Sequence, residues 1–153
     1  MLEVVIVAAI VAIFSTVAVP KMARILDKVQ LDYEMKHFYS TLNLARSIGK
    51  NSEGGSTLEI YKDIGNYELK IGDKIFSSHN LSAQGMKLST YSDSGAFQRI
   101  SFTAGNFSLE GTTSKSRPFK SKSGRVQITS RFPKSAVRIY FDSVGRIRGE
   151  YVK

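Results

Sequence analysis

The chain begins with an almost wholly apolar run, MLEVVIVAAIVAIFSTVAVP, which carries a single carboxylate near its start and ends at a proline. Within residues 4–19 the only polar side chains are those of Ser15 and Thr16. An isolated glutamate in hydrocarbon costs roughly several kcal/mol, so it is rarely there by accident. The role of Glu3 therefore decides how the whole run is interpreted.

The length of this run lies between those of two classes of segment. A helix that spans a bilayer needs about 20 apolar residues, whereas the apolar part of a secretory signal has about 7–15. A cleaved signal would also start with basic residues, but the first ones here, Lys21 and Arg24, follow the run. The pattern favours a retained membrane helix over residues 1–20.

Helical periodicity continues beyond Pro20, as apolar residues recur at intervals of four, three, four and three and so lie on one stripe of a helix. These residues are Leu31, Met35, Phe38, Leu42 and Ala45. Upstream, the stripe is continued by Met22, Ile25 and Val29. Gly49 and the polar residues after it predict that the helix ends near Ile48. We therefore predict one helix with a membrane half, 1–20, and an amphipathic half, 21–50, which Pro20 kinks or locally melts.

After Gly55 the apolar period changes to two, which predicts strands. The candidate strands are residues 57–61, 67–71, 74–76, 86–91, 99–102, 125–129, 136–141 and 146–151. Several short strands after one helix imply an antiparallel β domain packed on the second half of that helix. The predicted fold class is α+β, a long N-terminal helix packed on a C-terminal antiparallel β domain of residues 56–153.

The charge of the chain is unevenly divided. Residues 1–77 hold nine Lys or Arg and nine Asp or Glu, whereas residues 78–153 hold thirteen and four, which accounts for the whole net charge of +9. Residues 111–141 contain eight basic residues and no acid. A one-sided basic half predicts a polyanionic partner, either nucleic acid or an anionic membrane surface. The alternative is a solvated face that only aids solubility.

The first 20 residues resemble the N-terminus of type IV pilins and type II secretion pseudopilins. Those proteins begin, after cleavage, with Phe-Thr-Leu-apolar-Glu, followed by an apolar helix and a proline, and the interval from Glu3 to Pro20 matches that pattern residue for residue. The resemblance assigns Glu3 and Pro20 to subunit assembly and implies that Glu3 pairs with the free N-terminal amine of a neighbouring subunit. A cation from the next subunit would explain why a carboxylate is tolerated in an apolar bundle.

The same resemblance carries an expectation about the precursor. In these families the mature chain starts with a Phe two residues before the position of Met1, and a prepilin peptidase cuts after the preceding Gly. We therefore expect the gene to encode a basic leader ending in Gly-Phe upstream of Met1. The expected location is the inner membrane, crossed once, with the β domain outside the cytoplasm until the subunit joins a filament.

Three further segments resemble FimT/GspH-type minor pilins. Residues 38–47 are similar to their helix, residues 100–105 to their Phe-x-x-x-Gly strand and turn, and residues 137–141 with 145–148 to their last hairpin. Together with the N-terminus, these matches cover most of the chain. Residues 112–123 are longer and more basic than the usual loop of the family, so the placement of strands there stays open.

The Gly-Arg-Ile-Arg sequence near the end resembles the motif with which FimT proteins of naturally transformable bacteria bind DNA. In a strand, Arg146 and Arg148 point to the same face, and Gly145 permits the tight turn before them. Two guanidinium groups on one ridge can each bridge phosphate oxygens, in contacts that are independent of sequence and sensitive to salt. The residues that could widen this patch are Lys153, Lys115, Arg117, Lys120 and Lys122.

The same residues have a second interpretation, in which the arginines only protect an exposed edge strand from aggregation and Gly145 serves only the hairpin. We therefore weigh a minor pilin that captures extracellular DNA against a GspH-like pseudopilin of a type II secretion system with no DNA role. A third hypothesis is a single-pass membrane protein with a basic sensor domain and no filament.

The residue pattern predicts no enzyme, no cofactor and no metal site. The chain has no cysteine, which rules out a disulfide framework and a thiolate metal site. His37 and His79 are far apart in sequence and lack ligand-like spacing. We find no nucleophile-elbow motif, phosphate-cradling glycine loop or calcium-binding loop.

Overall fold

The fold is the predicted α+β arrangement, one long helix followed by an antiparallel β domain. The computed structural model describes residues 2–104, 106–130 and 135–152. Within these residues the chain forms one α-helix, a short 3₁₀ turn (Ser82–Gln84) and ten strands. The turn glycine of the segment 100–105, Gly105, lies outside the described residues.

The helix α1 (Leu2–Asn51) has 50 residues, which corresponds to about 75 Å at 1.5 Å per residue. It passes through Pro20 without interruption, so the predicted local melting is not observed. A proline removes one backbone donor, and the turns on either side keep their own hydrogen bonds. The predicted end near Ile48 is also wrong, because α1 continues through Gly49 to Asn51.

The strands follow in chain order, and most of them match the predicted segments. They are β1 (Ser56–Tyr61), β2 (Asn66–Ile71), β3 (Lys74–Asn80), β4 (Lys87–Ser92), β5 (Phe97–Thr103), β6 (Asn106–Thr112), β7 (Pro118–Ser121), β8 (Gly124–Thr129), β9 (Ala136–Phe141) and β10 (Ile147–Val152). The sequence predicts eight of these ten strands and misses β6 and β7. The segment 112–123 therefore contains strand β7 and a turn before it.

The strands form two antiparallel sheets. Sheet A has six strands in the order β3-β2-β1-β5-β6-β7, and sheet B has four in the order β10-β9-β8-β4. Since side chains alternate between the two faces of a strand, each sheet has an inner face and an outer face. The apolar side chains of both inner faces belong to one core, which α1 also enters.

The second half of α1 covers this core with the stripe that the sequence predicts. Leu31, Phe38, Leu42 and Ala45 are fully or almost fully buried, and Met35 is partly buried against the same cluster. The upstream part of the stripe behaves differently. The side chains of Met22, Ile25 and Val29 are all more than half exposed.

A buried polar cluster joins α1 to the β2–β3 hairpin. Glu34 on α1 is fully buried, and its Oε2 lies 2.7 Å from Nε2 of His79 on β3. Nδ1 of His37 lies 2.6 Å from the hydroxyl of Tyr67 on β2, and the rings of His37 and His79 stack with their centroids 4.2 Å apart. The fold thus brings together two histidines that the sequence leaves unconnected.

The stability of the protein is expected to fall on acidification because of His37. Burial, followed by the neighbouring His79, lowers the pKa of His37 from 6.5, and Glu34 opposes this effect. The unfolded chain therefore binds this proton at a higher pH than the folded chain does. The resulting stabilisation is fully present above about pH 6.5 and is lost as the pH falls from there through the lower pKa of the folded protein, with a slope of at most about 1.4 kcal/mol per pH unit.

The measurement is urea unfolding of the full chain in non-ionic detergent micelles at pH 7.5 and pH 5.5. Tyr67 also lies beside the His37 ring, but burial raises the pKa of Tyr67, so this tyrosine does not ionise in this window. His37→Gln keeps a polar group near Tyr67 and removes the titration, so it should lose less stability between the two pH values than the parent. Equal losses in both proteins would contradict a role for His37.

Candidate functional site

The residues predicted for subunit assembly lie on the exposed part of α1. Glu3 is in the first turn of the helix, and Pro20 lies inside it. Both side chains are exposed. Helix α1 is long and apolar enough to cross a membrane, and none of its most apolar stretch is buried inside the protein.

The Gly145 turn between β9 and β10 is held by Asp142. Oδ1 of Asp142 accepts hydrogen bonds from the backbone N–H groups of Val144 (3.0 Å) and Arg146 (2.8 Å), and the N–H of Gly145 donates to the Asp142 carbonyl at 2.9 Å. Gly145 has a φ of +74°, in the left-handed region that glycine adopts without strain. The structure thus confirms that Gly145 permits a tight turn at this point.

The two arginines of the motif do not share a strand. β10 begins at Ile147, so Arg146 lies in the turn, where its Nε donates to Oδ2 of Asp142 at 2.8 Å. The backbone and side-chain N–H groups of Arg146 lower the pKa of Asp142, which keeps this carboxylate charged. The predicted ridge of Arg146 and Arg148 on one strand is therefore wrong, because the Asp142 turn delays the start of β10.

Arg148 lies in β10, is exposed, and forms no ion pair with any other described residue. The remaining cations of the predicted patch are also exposed, except that Lys153 is outside the described part of the chain. They are Lys115 and Arg117 in the β6–β7 turn, Lys120 on β7, and Lys122 in the link from β7 to β8. Nζ of Lys120 lies 2.9 Å from Oε1 of Glu110, which compensates its charge.

The β6–β7 turn lies away from the Gly145 turn. A Cβ atom added to Gly145 would lie 3.1 Å from Cβ of Phe107, next to the first residue of β6. The β6–β7 turn begins after Thr112, at the other end of that strand. The step from Phe107 to Thr112 corresponds to about 17 Å at 3.4 Å per residue. Lys115 and Arg117 therefore do not join the patch around Arg148.

Lys122, in contrast, lies near the start of β10. It comes two residues before Gly124, which pairs with Phe141 across β8 and β9. Phe141 in turn pairs with Ile147 on β10. Two strand spacings of about 4.8 Å therefore separate Gly124 from Ile147. The link that contains Lys122 therefore enters sheet B at the end where β10 begins.

The outer face of sheet B contains a row of residues that sequence reasoning missed. Tyr91 on β4 pairs with Arg125 on β8, Arg125 pairs with Tyr140 on β9, and Tyr140 pairs with Arg148 on β10. We call these four residues the Tyr-Arg row. The guanidinium carbon of Arg125 lies 4.8 Å from the ring centroid of Tyr91, a cation–π contact. The period-two alternation of each strand gives the outward positions, but only the register aligns them.

The outer face of sheet A differs from that of sheet B in its ion pairs. Oε2 of Glu59 lies 2.6 Å from Nζ of Lys70, and Oε1 accepts from Nε of Arg99 at 2.8 Å. The hydrogen bond from Lys70, together with Tyr61 and the nearby charges, lowers the pKa of Glu59 to about 2. Glu59 of sheet A therefore compensates Lys70 and Arg99, whereas Arg125 and Arg148 of sheet B have no acidic partner among the described residues.

A comparison of the chain with known proteins finds no family model, no curated protein and no solved structure that matches it. Within residues 2–104, 106–130 and 135–152, no group of three His, Asp or Glu side chains is arranged to hold a metal ion.

Proposed function

We propose that this chain is a minor pilin or pseudopilin, a subunit that is stored in the membrane through α1 and then assembled into a type IV pilus-like filament. The observation that carries the proposal is the exposed first part of α1. Every apolar side chain described between Leu2 and Val29 is exposed, and Leu31 is the first buried residue among those that the structure describes in the helix. A helix with such a surface needs a partner outside its own domain.

Lipid alone does not account for the whole exposed stripe. A bilayer core of about 30 Å covers about 20 residues of helix. The exposed apolar residues Met22, Ile25 and Val29 extend beyond that length, in a segment that also contains Lys21 and Arg24. Packing against the helices of neighbouring subunits would cover both parts of the stripe. The length of the exposed stripe favours a filament subunit over a single-pass sensor.

The replacement Glu3→Gln is expected to reduce recovery of the subunit in sheared filaments by about tenfold or more, because it removes the charge that meets a neighbour's N-terminal amine. The amount in the membrane fraction should stay unchanged, since a neutral side chain is easier to place in lipid. Both fractions are measured by immunoblot in cells that express the complete precursor.

Glu53→Gln is the matched control, because Glu53 is an exposed glutamate just after the end of α1. It should leave both fractions at the parental level. If Glu3→Gln and Glu53→Gln were recovered equally in filaments, Glu3 would have no part in assembly and the proposed role of the helix would fail.

A second proposed function is binding of DNA by the β domain, as part of DNA uptake. The observation that favours it is the difference between the two outer faces, since Arg125 and Arg148 of sheet B have no acidic partner among the described residues. Uncompensated guanidinium groups bind phosphate oxygens and give an affinity that falls with salt. The alternative, a GspH-like pseudopilin with no DNA role, predicts no such affinity.

A further inference from the structure

The Tyr-Arg row crosses all four strands of sheet B, one residue from each strand. Three strand spacings of about 4.8 Å give it a length of about 14 Å. Its members alternate between an aromatic ring and a guanidinium group. The row itself contains no acid, and it lies on the face opposite the buried residues Val126, Val137 and Ile139.

Two members of the row, Tyr91 and Arg148, are exposed, and the other two, Arg125 and Tyr140, are half-buried. Tyr91 is 43% exposed, and Arg148 is exposed without an ion pair to any described residue. Nε of Arg125 is buried and has no hydrogen-bond partner among the described atoms, while its guanidinium carbon lies over the Tyr91 ring. The cation–π contact fixes the direction of this guanidinium without using its hydrogen-bond donors.

Three acids share the outer face of sheet B, but they lie in neighbouring rows. Oδ2 of Asp142 binds Arg146, and Oδ2 of Asp93 accepts from Oγ of Ser123 at 3.1 Å. Glu150 lies two residues after Arg148 and pairs in the register with Arg138. A polyanion that follows the Tyr-Arg row therefore meets guanidinium groups and passes beside these carboxylates.

From this arrangement we infer that the Tyr-Arg row binds single-stranded nucleic acid, with bases stacked on Tyr91 and Tyr140 and phosphates held by Arg125 and Arg148. The inference rests on the proposed DNA-binding function and names its substrate class. Aromatic rings between cations on an exposed surface suit unpaired bases, whose faces are free to stack. In a duplex the bases are stacked inside the helix. The arginines could therefore contact its phosphates, but the tyrosine rings could not stack on its bases.

The test measures fluorescence anisotropy of a labelled thymidine oligonucleotide and of a duplex of equal length, each bound by the full chain in non-ionic detergent micelles at two salt concentrations. The double replacement Tyr91→Leu with Tyr140→Leu is expected to weaken single-strand binding by about tenfold or more. Duplex binding should fall by less than about threefold, because it uses phosphate contacts and only the orientation of Arg125 depends on Tyr91. Arg148→Ala should weaken both and lower the salt slope by about one unit.

Two controls separate stacking from folding. Tyr61→Leu replaces a tyrosine that is 37% exposed on the outer face of sheet A, and it should leave both affinities unchanged. Tyr91→Phe with Tyr140→Phe keeps the rings and should retain single-strand binding, even if the leucine variant were to unfold. A phenylalanine variant that folds but loses single-strand binding would overturn the stacking inference.

The remaining outcomes also decide between the proposals. If the leucine variant folds and binds the single strand as the parent does, the stacking inference is wrong, while phosphate recognition stands. If the parent binds neither nucleic acid at low salt, both the proposed DNA-binding function and the stacking inference are wrong. If poly-glutamate displaces the oligonucleotide at an equal concentration of charge, the face is a general site for acidic polymers and the inference is overturned.

Discussion

Replacing Phe38 with alanine is expected to lower the free energy of unfolding by about 3–5 kcal/mol, the range for truncating a buried phenylalanine. Phe38 is completely buried on the stripe of α1, and its ring meets the ring of Tyr67 edge to face, with centroids 5.0 Å apart. The loss combines the transfer of the ring to water with the cavity that remains between α1 and sheet A.

Leu44→Ala is the matched control for this prediction. Leu44 lies on the same helix but is 42% exposed, so its truncation should cost less than about 1 kcal/mol. Both variants are compared with the parent by urea unfolding in non-ionic detergent micelles, followed by near-ultraviolet circular dichroism of the tyrosines. Similar losses for Phe38→Ala and Leu44→Ala would show that the second half of α1 is not docked on the β domain in solution.

The sequence predicts the helix stripe that contains Phe38, but it does not predict the contact between the two histidines. The stripe of α1 and eight strands are visible because their periodicity is local. The contact of His37 with His79 joins residues that are 42 positions apart in the chain, and only the docking of α1 on the β2–β3 hairpin brings them together. The sequence predicts each element well but not which polar side chains meet between elements.

The two missed strands have a compositional reason. β6 contains Gly111 near its end, and β7 begins with Pro118, so the segment between them has the composition of a loop. A proline is tolerated at the first residue of an edge strand, which is the position that Pro118 occupies at the edge of sheet A. Both segments are strands because β6 pairs with β5 and β7 pairs with β6, although their local composition is typical of a loop.

The candidate site was predictable only in part for the same reason. A basic second half, a Gly145 turn and an exposed Arg148 follow from the sequence. The Tyr-Arg row does not, because it depends on the register of four strands, and a slip of one residue in one strand would turn that strand's member of the row toward the core. Arg146 lies outside the predicted strand because its backbone N–H and its Nε both donate to the Asp142 carboxylate, which holds Arg146 in the turn.

Gly49→Ala is the second substitution with a large expected effect, and here helix propensity and packing predict opposite signs. Alanine stabilises the interior of a helix by roughly 0.5–1 kcal/mol relative to glycine. In α1, however, a Cβ atom at Gly49 would lie 2.5 Å from the carbonyl oxygen of Phe102 and 2.7 Å from its Cβ. Both are part of or next to the backbone of β5, so they cannot move aside as the end of a flexible side chain could.

We therefore expect Gly49→Ala to lower the free energy of unfolding by about 2 kcal/mol, since overpacking of this kind costs about 1–3 kcal/mol. Displacing α1 would also disturb the hydrogen bond from the backbone N–H of Ala104 to the Gly49 carbonyl, which measures 3.1 Å. The measurement is the same urea unfolding in micelles.

Gly54→Ala is the matched control, because a Cβ atom at Gly54 would have no neighbour within 4 Å. It should change the stability by less than about 0.5 kcal/mol, as expected for a surface position. If Gly49→Ala were instead the more stable protein, helix propensity would dominate at this position. The close approach of α1 to β5 would then not be the reason that a glycine lies inside the last turn of the helix.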